Sequence, residues 1–587
     1  MIPGYDFTTA EKREETANLL FAKARNARQA QEREWEKCND YYNFVHDSVN
    51  EVKKYCEDKG LPWVPACIPD PYIIVESQID PDVPEPEFRG RDDDVDGKMA
   101  KQREYAVRYI CQRNRLKDMN TANERRCIKL GDCFWKAYFD INMRMGVAEG
   151  DIRVVDVPVE AIYPDPAAGN RGLQAGQYLF HLYRIHKVEF AQTYGRALQK
   201  LGLRPEELFG QDYDRGVEEI FDMTTALDED DDTVQIMELW FKQPEDRDGV
   251  EAGRVACTIQ AGGREVKYIP DYWQNTGEQC KLFPFVHAWR IRDENSFWNK
   301  SELFPVLDLV DAADRKLATA LLNEAFMAND IVLVEEGAMA EGCVPTNEPG
   351  AVWSMKPNKV GAVARLGGLQ SGINATGLIN WLGEQIQRTN RNFDSNLGRE
   401  TTRQTTATAL ALQREDADNQ SSIKKADRTA GFERLYELLD WLALEFYDDD
   451  RMIFLGAKEK GEKPVQLIFN SQNLVGELPA VTDLEGNVVR PAKPYYPVID
   501  VTVNAGEGVI KGKRATLEVL DKLVATPVTA ENWKLLAAEL EILEIPQKQE
   551  IVAEWERRFA APAASEQQLT TPFPPLGKTA LDAAVLP

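Results

Sequence analysis

Residues 133–140 read CFWKAYFD, and residues 151–157 read DIRVVDV. Polar and apolar side chains in these segments follow a period of two, and β-branched and aromatic residues are frequent, which is typical of β-strands. The turn signal Tyr163-Pro164-Asp165-Pro166 comes shortly after them. Further strand patterns lie at residues 178–184, 234–241, 254–259 and 285–290. A β-rich block is therefore predicted before residue 300.

Helical patterns precede this block. Residues 8–58 contain neither Gly nor Pro and place apolar side chains among many Glu, Lys and Arg residues, which predicts one or two long amphipathic helices. Residues 60–91 contain seven prolines, which predicts that helix is excluded and that only extended pieces such as residues 72–75 form. A second helical block is predicted at residues 98–129.

Helices and short strands are predicted to alternate after residue 300. Residues 302–329 carry apolar side chains at three- and four-residue spacing, with Asp314 on the same face, which predicts an amphipathic helix. Further helical patterns lie at residues 378–397, 407–448 and 511–559. Short strand patterns lie at residues 331–335, 351–355, 362–366, 465–469, 488–490 and 498–504.

The composition limits which classes of protein are compatible with the chain. The chain has 587 residues, of which 43% are hydrophobic, enough for a large core and roughly four structural units. It has 70 Lys and Arg against 97 Asp and Glu, a formal net charge of −27 at pH 7. This charge disfavours binding of nucleic-acid phosphates over the whole surface, so any such contact is expected to be local and weak. Because no secretory signal or membrane-spanning apolar run is evident, we expect a soluble protein made in the cytoplasm, with no membrane partner.

Motifs for metal, cofactor or catalytic chemistry are weak. The nine cysteines form no Cys-x-x-Cys pair and only four histidines accompany them, which supports neither a disulfide framework nor a zinc site. His181 and His186 lie five residues apart, so they share neither a strand face nor a favourable helical spacing. Residues 506–514 read GEGVIKGKR, which departs from a Walker loop in spacing and lacks its Ser or Thr. We therefore expect reduced thiols, no cofactor, no metal and no enzymatic activity.

A metal-dependent hydrolase or nuclease that uses acidic clusters is the alternative. Asp82, Glu87 and Arg89 have a spacing similar to that in such enzymes, and the acidic run at residues 228–232 offers a second cluster. These sites bind magnesium through the acids and usually need a lysine to position water, for which Arg89 is a poor substitute. The proline-dense context favours an extended linker, and an acidic run usually marks a solvated loop.

The order of the segments is more informative than any single motif. The sequence LGDCFWK at residues 130–136 is followed by VVDVP at 154–158, AIYPDP at 161–166, FPFV at 283–286, the helix from Ser301, and TTATAL at 405–410. In this order, from about residue 11 to residue 559, the chain resembles the portal (head-to-tail connector) proteins of tailed double-stranded-DNA bacteriophages.

The resemblance implies an α+β, portal-type fold that assembles as a ring, usually of twelve subunits, at one vertex of the capsid. The implied regions are a mixed α/β wing (1–300), a first stem helix (301–330), a small β-containing clip (331–369), a second stem helix (370–398), a tunnel loop (399–406), a wing return (407–505), a helical crown (506–560) and a flexible tail (561–587).

The implied function is packaging and ejection of double-stranded DNA through this ring. The ring would dock the terminase motor and later the tail or adaptor proteins, and it would also contact capsid and scaffolding proteins. The implied location is the portal vertex of the virion, after assembly in the host cytoplasm. ATP hydrolysis would belong to the terminase, which agrees with the failed Walker pattern.

Three sets of site residues follow from this resemblance. They are Arg399, Arg403, Gln404 and Thr405 in the tunnel loop, facing passing DNA; Trp353, Lys356, Lys359 and Arg365 in the clip, docking partners; and Leu303, Leu307, Val310, Leu317 and Leu321, packing the stem. Each set has an alternative: loop arginines paired with nearby acids, Trp353 filling the small core of the clip, and stem residues in an ordinary helical bundle.

Overall fold

The computed structural model of the protein describes residues 6–60, 67–90, 96–145, 148–202, 204–208, 232–246, 250–328, 331–340, 354–358, 361, 363–366, 375–390, 422–456, 464–478, 481–482, 488–490 and 493–504. The chain divides into two compact units. The first comprises Met1–Ile453 and Gln466–Val503, and the second comprises Phe454–Val465 and Asn504–Pro587. The described α-helices all belong to the first unit.

The described helices and strands confirm a mixed α+β protein. The helices are α1 (Ala10–Tyr42), α2 (Asp47–Lys59), α3 (Asp70–Ser77), α4 (Asp96–Arg113), α5 (Leu116–Leu130), α6 (Lys187–Leu201), α7 (Leu307–Ala328), α8 (Ala375–Asn390) and α9 (Ser422–Phe446). The strands are β1 (Glu85–Gly90), β2 (Asp132–Met145), β3 (Ala148–Val157), β4 (Ile162–Pro164), β5 (Tyr178–His186), β6 (Thr233–Lys242), β7 (Val255–Ala261), β8 (Arg264–Ile269), β9 (Phe285–Trp289), β10 (Ile331–Val334), β11 (Val363–Leu366), β12 (Arg451–Leu455), β13 (Val465–Phe469), β14 (Gly476–Leu478), β15 (Val481–Thr482), β16 (Val488–Arg490), β17 (Lys493–Tyr495) and β18 (Ile499–Asn504). None of the described helices combines the length and apolarity that crossing a membrane would require.

The N-terminal helices α1 and α2 form where the Gly- and Pro-free stretch predicts them. Thr9 caps α1, because its hydroxyl accepts a hydrogen bond from the Lys12 N–H at 3.3 Å. Phe44 adopts a left-handed conformation with φ of 64°, which separates α1 from α2. The second predicted helical block is likewise confirmed as α4 and α5, separated at Arg115, which has φ of 50°.

The prediction of an extended segment at residues 72–75 is wrong, because these residues lie within the helix α3. Pro69 occupies the N-cap position and Pro71 lies in the first turn. The first four N–H groups of a helix have no partner within the helix, so a proline loses nothing there. The prolines therefore mark the start of a helix rather than its absence.

Two antiparallel sheets form the β-rich part. One has three strands in the order β3-β2-β9, and the other has five in the order β4-β5-β6-β7-β8. Two-stranded ribbons are formed by β1 with β18, β10 with β11, β14 with β17, and β15 with β16.

Five strands were not predicted, namely β8, β12, β14, β15 and β17, and β4 was misassigned. Strand β8 was not predicted, although Gly262 and Gly263, both with positive φ, make the tight turn from β7. The predicted turn at residues 163–166 is wrong in its first half, because Ile162–Pro164 pairs with β5 as the strand β4. Proline is tolerated in β4 because this strand lies at the edge of the sheet.

The core of the five-stranded sheet is closed by helix α1. Leu20 and Phe21 of α1 pack with Phe180 and Leu239, and Phe7 stacks on Phe241 with ring centroids 3.9 Å apart. Burial of each such side chain contributes about 1.5–3 kcal/mol to stability. This packing fixes α1 across one face of the sheet.

Helix α9 joins the C-terminal part of the first unit to residues far earlier in the chain. Asp440 accepts hydrogen bonds from Arg103, with Nε to Oδ1 at 2.8 Å. The Tyr447 hydroxyl donates to Asp151 at 2.5 Å, and Glu445 accepts from the Thr276 N–H at 2.9 Å. The predicted helix at 407–448 is described from Ser422, and its earlier part lies outside the described residues, as do the predicted helices at 511–559 and the tail.

Candidate functional site

A helical hairpin follows the sheets, made of α7, α8 and the β10–β11 ribbon between them. Helix α7 packs against α8. The antiparallel register pairs Ile331 with Leu366 and Val334 with Val363. Because Ile331 closely follows α7 and Leu366 shortly precedes α8, the two helices run in opposite directions with the ribbon at one end.

The start of α7 differs from the prediction of a helix from residue 302. Residues 302–306 form turns, and the helix begins at Leu307. Pro305 disfavours a helical conformation at Phe304, so the chain cannot enter the helix earlier. Helix α8 begins at Ala375, three residues before the predicted position, and residues 391–397 lie outside the described part.

The predicted packing residues of this hairpin divide into two groups. Leu303, Leu307 and Val310 are buried, although Leu303 lies in the turn before the helix. Leu317 and Leu321, farther along α7, are half-buried. The hairpin therefore packs into the core at the beginning of α7, and its side chains are more exposed to solvent toward the end of that helix.

Two carboxylates, the buried Asp314 and the half-buried Asp311, anchor α7 to the N-terminal helices. Asp314 accepts hydrogen bonds from His46 Nδ1 at 2.5 Å and from the Ile68 N–H at 2.8 Å, and Asp311 accepts from the Tyr41 hydroxyl. Burial opposes the charged imidazolium, but the hydrogen bond and the charge of Asp314 outweigh it and raise the pKa of His46 above 6.5. The charged pair of His46 with Asp314 therefore fixes the first turns of α7 against the N-terminal helices.

A second network fixes the turn before α7. Glu302 accepts a hydrogen bond from Arg290 Nε at 2.9 Å and forms an ion pair with Lys424 of α9. Asp132 at the start of β2 accepts from the Asn299 N–H at 2.9 Å and bonds to His287 Nε2 at 2.7 Å. These contacts join the hairpin to the three-stranded sheet.

Gly131 makes this junction possible. It has φ of 95°, and a Cβ atom at this position would lie 2.3 Å from the carbonyl oxygen of Asn299. Only glycine satisfies both the conformation and the space.

A buried charged cluster lies where the two sheets meet. Lys136 Nζ lies 2.7 Å from Glu238 Oε2, and His181 Nδ1 lies 3.4 Å from the same oxygen. Burial disfavours the charged forms, but attraction to Lys136 holds the pKa of Glu238 well below its usual range. Burial and Lys136 together lower the pKa of His181. The cluster fits a structural ion pair, further satisfied by Trp240 Nε1, which donates to Glu238 at 2.9 Å.

The acidic residues of the hydrolase alternative form ion pairs with neighbouring bases. Glu87 pairs with Arg89 at 3.0 Å, and Asp82 pairs with Lys117 at 3.6 Å. Within the described ranges, no three His, Cys, Asp or Glu side chains are grouped to hold a metal ion. Of the second acidic run, residues 228–231 lie outside the described part.

The described histidines and cysteines differ in exposure. His181 is buried, whereas His186 is exposed and caps α6 by accepting from the Val188 N–H at 3.2 Å. The described cysteines are free thiols, all buried or half-buried.

The predicted clip residues are described only in part. Lys356 is exposed, and its N–H donates to the Ala338 carbonyl at 3.0 Å, beside a bridge between Met339 and Met355. Arg365 lies in β11, opposite Val332. Trp353 and Lys359 lie outside the described residues, as do the predicted tunnel-loop residues Arg399, Arg403, Gln404 and Thr405.

Sequence reasoning did not single out the residues that anchor the hairpin. A signal for one of them was present, because Asp314 interrupts an otherwise apolar helix face and a buried carboxylate requires a partner. The partner His46 is 268 residues away in sequence, and no local pattern connects the two.

Taken together, the fold is that of an α+β protein in which two antiparallel sheets carry an anchored helical hairpin with a β-ribbon at its end. Residues 75–292 match the family model of the phage P22-like portal protein, which confirms the predicted resemblance to phage portal proteins. The matched region runs from the end of α3 to just after β9 and contains both sheets. No curated protein matches the chain.

Proposed function

We propose that this protein is the portal subunit of a tailed double-stranded-DNA phage. In this proposal, twelve copies form a ring at one capsid vertex, through which DNA is packaged and later ejected. The ring first docks the terminase motor and then the tail or adaptor proteins.

The observation that carries the proposal is the portal match at residues 75–292, followed directly in the chain by the anchored hairpin. In the proposed arrangement, the matched region and the preceding helices form the wing, α7 and α8 form the stem, and the β10–β11 ribbon belongs to the clip. The tunnel loop at 399–406 and the crown at 506–560 complete the assignment.

The charge of the chain is compatible with a conduit. Each subunit carries a formal charge of −27, so a ring multiplies a strongly negative potential. Such a surface repels DNA and limits tight phosphate contacts, which leaves DNA free to move through a channel. A few local basic residues would then provide the contacts with DNA phosphates that are needed during packaging and to retain the packaged DNA.

The anchoring of α7 supports a load-bearing hairpin. Asp311 and Asp314 bond to Tyr41 and His46, which stack on each other between α1 and α2, and Glu302 bonds to Arg290. A buried charged pair such as His46 with Asp314 is costly to break, because separation leaves an uncompensated charge. The hairpin is thus held at its base at two places in the first unit.

The first test is the mass and shape of the purified chain. Light scattering and negative-stain microscopy should reveal closed rings with a central opening, and a monomer at micromolar concentration would refute the proposal.

The second test is packaging: procapsids built with the protein should protect DNA from nuclease when its terminase and ATP are supplied. Magnesium-dependent cleavage of DNA by a monomer, abolished by Glu87→Gln but not by Glu57→Gln, would favour the hydrolase instead.

A further inference from the structure

Helix α1 ends in a backbone motif whose key position normally carries glycine. The Phe44 N–H donates to the Tyr41 carbonyl at 3.3 Å, and the Val45 N–H donates to the Asp40 carbonyl at 2.8 Å. These two bonds define a Schellman motif, in which the residue after the C-cap adopts the left-handed conformation and is usually glycine. Phe44 occupies that position with φ of 64°. A bulky side chain is unfavourable there, because its Cβ atom crowds the following carbonyl oxygen.

Burial does not compensate for the conformation of Phe44. Phe44 and Val45 are each 47% exposed, although the residue at the position of Val45 usually packs against the end of the helix in this motif. Tyr72 of α3 is 42% exposed, and its ring centroid lies 5.9 Å from that of Phe44. We call Phe44, Val45 and Tyr72 the corner surface. An unfavourable backbone conformation that places an aromatic side chain in solvent indicates a contact outside the subunit.

One ring of the corner surface is held in position from behind. The ring of Tyr72 lies 5.4 Å from that of the half-buried Tyr42. The Tyr42 hydroxyl donates to Glu76 at 2.7 Å, and Lys129 Nζ lies 5.1 Å from the centre of the Tyr42 ring. Glu76 also accepts a hydrogen bond from Arg125 Nε at 2.6 Å. Because this side of the surface is already ordered, a partner loses little affinity in ordering it.

Negative charge lies beside Phe44. Glu36 and Asp47 are exposed, and Asp40 is half-buried. Burial and repulsion by Glu36 and Asp47 raise the pKa of Asp40 above its usual value. In the part of the chain that the structure describes, no Lys or Arg forms an ion pair with any of these three carboxylates. The last turn of α1 also contains no basic residue, so the partial negative charge of the helix C-terminus is not compensated.

We propose that the corner surface binds a basic, apolar segment of a partner protein. An apolar side chain of this segment packs on Phe44 and Tyr72, and a neighbouring Lys or Arg lies beside Asp40 and Asp47. DNA is disfavoured as the occupant, because its phosphates would meet the carboxylates. A second copy of the chain is also disfavoured, because each copy carries a formal charge of −27.

The first test measures whether Phe44 is strained and uncovered. Phe44→Gly should raise the midpoint of urea unfolding, because glycine adopts the left-handed conformation readily and little apolar burial is lost. The matched control is Leu19→Gly, which changes a 60% exposed apolar residue inside α1 and should lower the midpoint, because glycine disfavours a helix interior.

A midpoint that does not rise with Phe44→Gly would overturn the proposal. It would show that the chain itself covers Phe44. Residues 61–66, outside the described part, would be the segment to examine, because Cys67 Sγ directly after them lies 3.5 Å from the Phe44 carbonyl oxygen.

The second test identifies the occupant by photo-crosslinking. The full chain is made with p-benzoylphenylalanine in place of Val45, or in place of Leu19 as the matched control, in cells that assemble the particle. Mass spectrometry should find, for Val45 alone, crosslinks to a segment of another protein in which an apolar residue adjoins Lys or Arg. Crosslinks to this chain, to DNA or to an acidic segment, or a yield no higher than at Leu19, would overturn the proposal.

The third test titrates a peptide with the sequence of the crosslinked segment into the purified protein. Phe44→Gly should weaken its binding about tenfold or more, as expected for loss of an interface anchor. Asp47→Asn should weaken it at low salt but not at high salt, where the charge is screened. The matched control Glu57→Gln removes an exposed carboxylate near the other end of α2 and should leave binding unchanged. Unchanged affinity in Phe44→Gly, or in Asp47→Asn at low salt, would refute the contact.

The failures of the two proposals are distinguishable. Only the crosslinking rests on the proposed portal function, because it needs assembled particles. A wild-type chain that forms no ring refutes that function, whereas the unfolding of Phe44→Gly still decides whether the corner surface is strained and uncovered. Intact particles in which Val45 meets no basic, apolar segment refute only the corner surface.

Discussion

The buried pair between His46 and Asp314 predicts a stability that depends on pH. Asp314→Asn keeps the shape of the side chain and an acceptor for the Ile68 N–H but removes the charge opposite His46. Hydrogen bonds to charged groups contribute about 1.5–3 kcal/mol, so we expect a loss of this size in the free energy of unfolding at pH 5.5. Both side chains are completely buried, so solvent screening does not reduce the effect.

The loss should shrink as the pH rises. Because the pair raises the pKa of His46 above 6.5, its charged form stabilises the folded state fully below that value. This stabilisation is lost as the pH rises through the folded-state pKa. At pH 8.5 the wild-type and variant proteins should therefore differ less than at pH 5.5.

Urea unfolding followed by tryptophan fluorescence measures both conditions. The matched control is Glu57→Gln, which removes an exposed carboxylate from α2 and should cost less than about 0.5 kcal/mol at either pH. An equal loss from Asp314→Asn at pH 5.5 and pH 8.5 would refute the charged pair and leave only a neutral hydrogen bond.

Three further predictions concern the buried cluster of Lys136 and Glu238 and the two segments proposed above as tunnel loop and clip. Lys136→Met should cost about 3–5 kcal/mol in urea unfolding, because it leaves a buried carboxylate without its cation; a loss below 1 kcal/mol would show that the carboxylate finds another partner. Replacing both Arg399 and Arg403 by alanine should preserve rings and procapsids yet alter DNA packaging or retention, most clearly at low salt, and unchanged DNA content at every salt concentration would contradict it. Changing Lys356 and Lys359 to glutamate should leave rings intact but weaken binding of terminase or adaptor in a pull-down with purified components; unchanged binding would reject a docking role.

Sequence periodicity predicted most of the elements because the relevant physics is local. The alternation in β2 and β3 and the Gly- and Pro-free run of α1 and α2 each reflect the burial of one face. Two errors arose at prolines, because proline disfavours the interior of a helix or sheet but is tolerated in the first turn of a helix and in an edge strand. Prolines that were expected to exclude helix instead begin α3, and Pro164 lies in an edge strand.

The anchoring residues could not be predicted, because their partners are distant in sequence. His46 meets Asp314 and Lys136 meets Glu238 only after the sheets and helices have packed. The outward position of Trp381 was also hidden, since a tryptophan in an amphipathic pattern is ordinarily assigned to a core. Its 52% exposure in the folded protein shows that it lies outside that core.

The long-range contacts of α9 have a consequence for synthesis of the chain on the ribosome. Asp151, Thr276 and Arg103 obtain their partners from α9 only when residues 440–447 have been made. At about 5–20 residues per second, the roughly 300 residues between Asp151 and Tyr447 take about 15–60 s to translate. During this interval the three-stranded sheet lacks the contacts with α9, and its apolar surface is open to other nascent chains. This sheet is thus covered late, by a helix that is translated after all three of its strands.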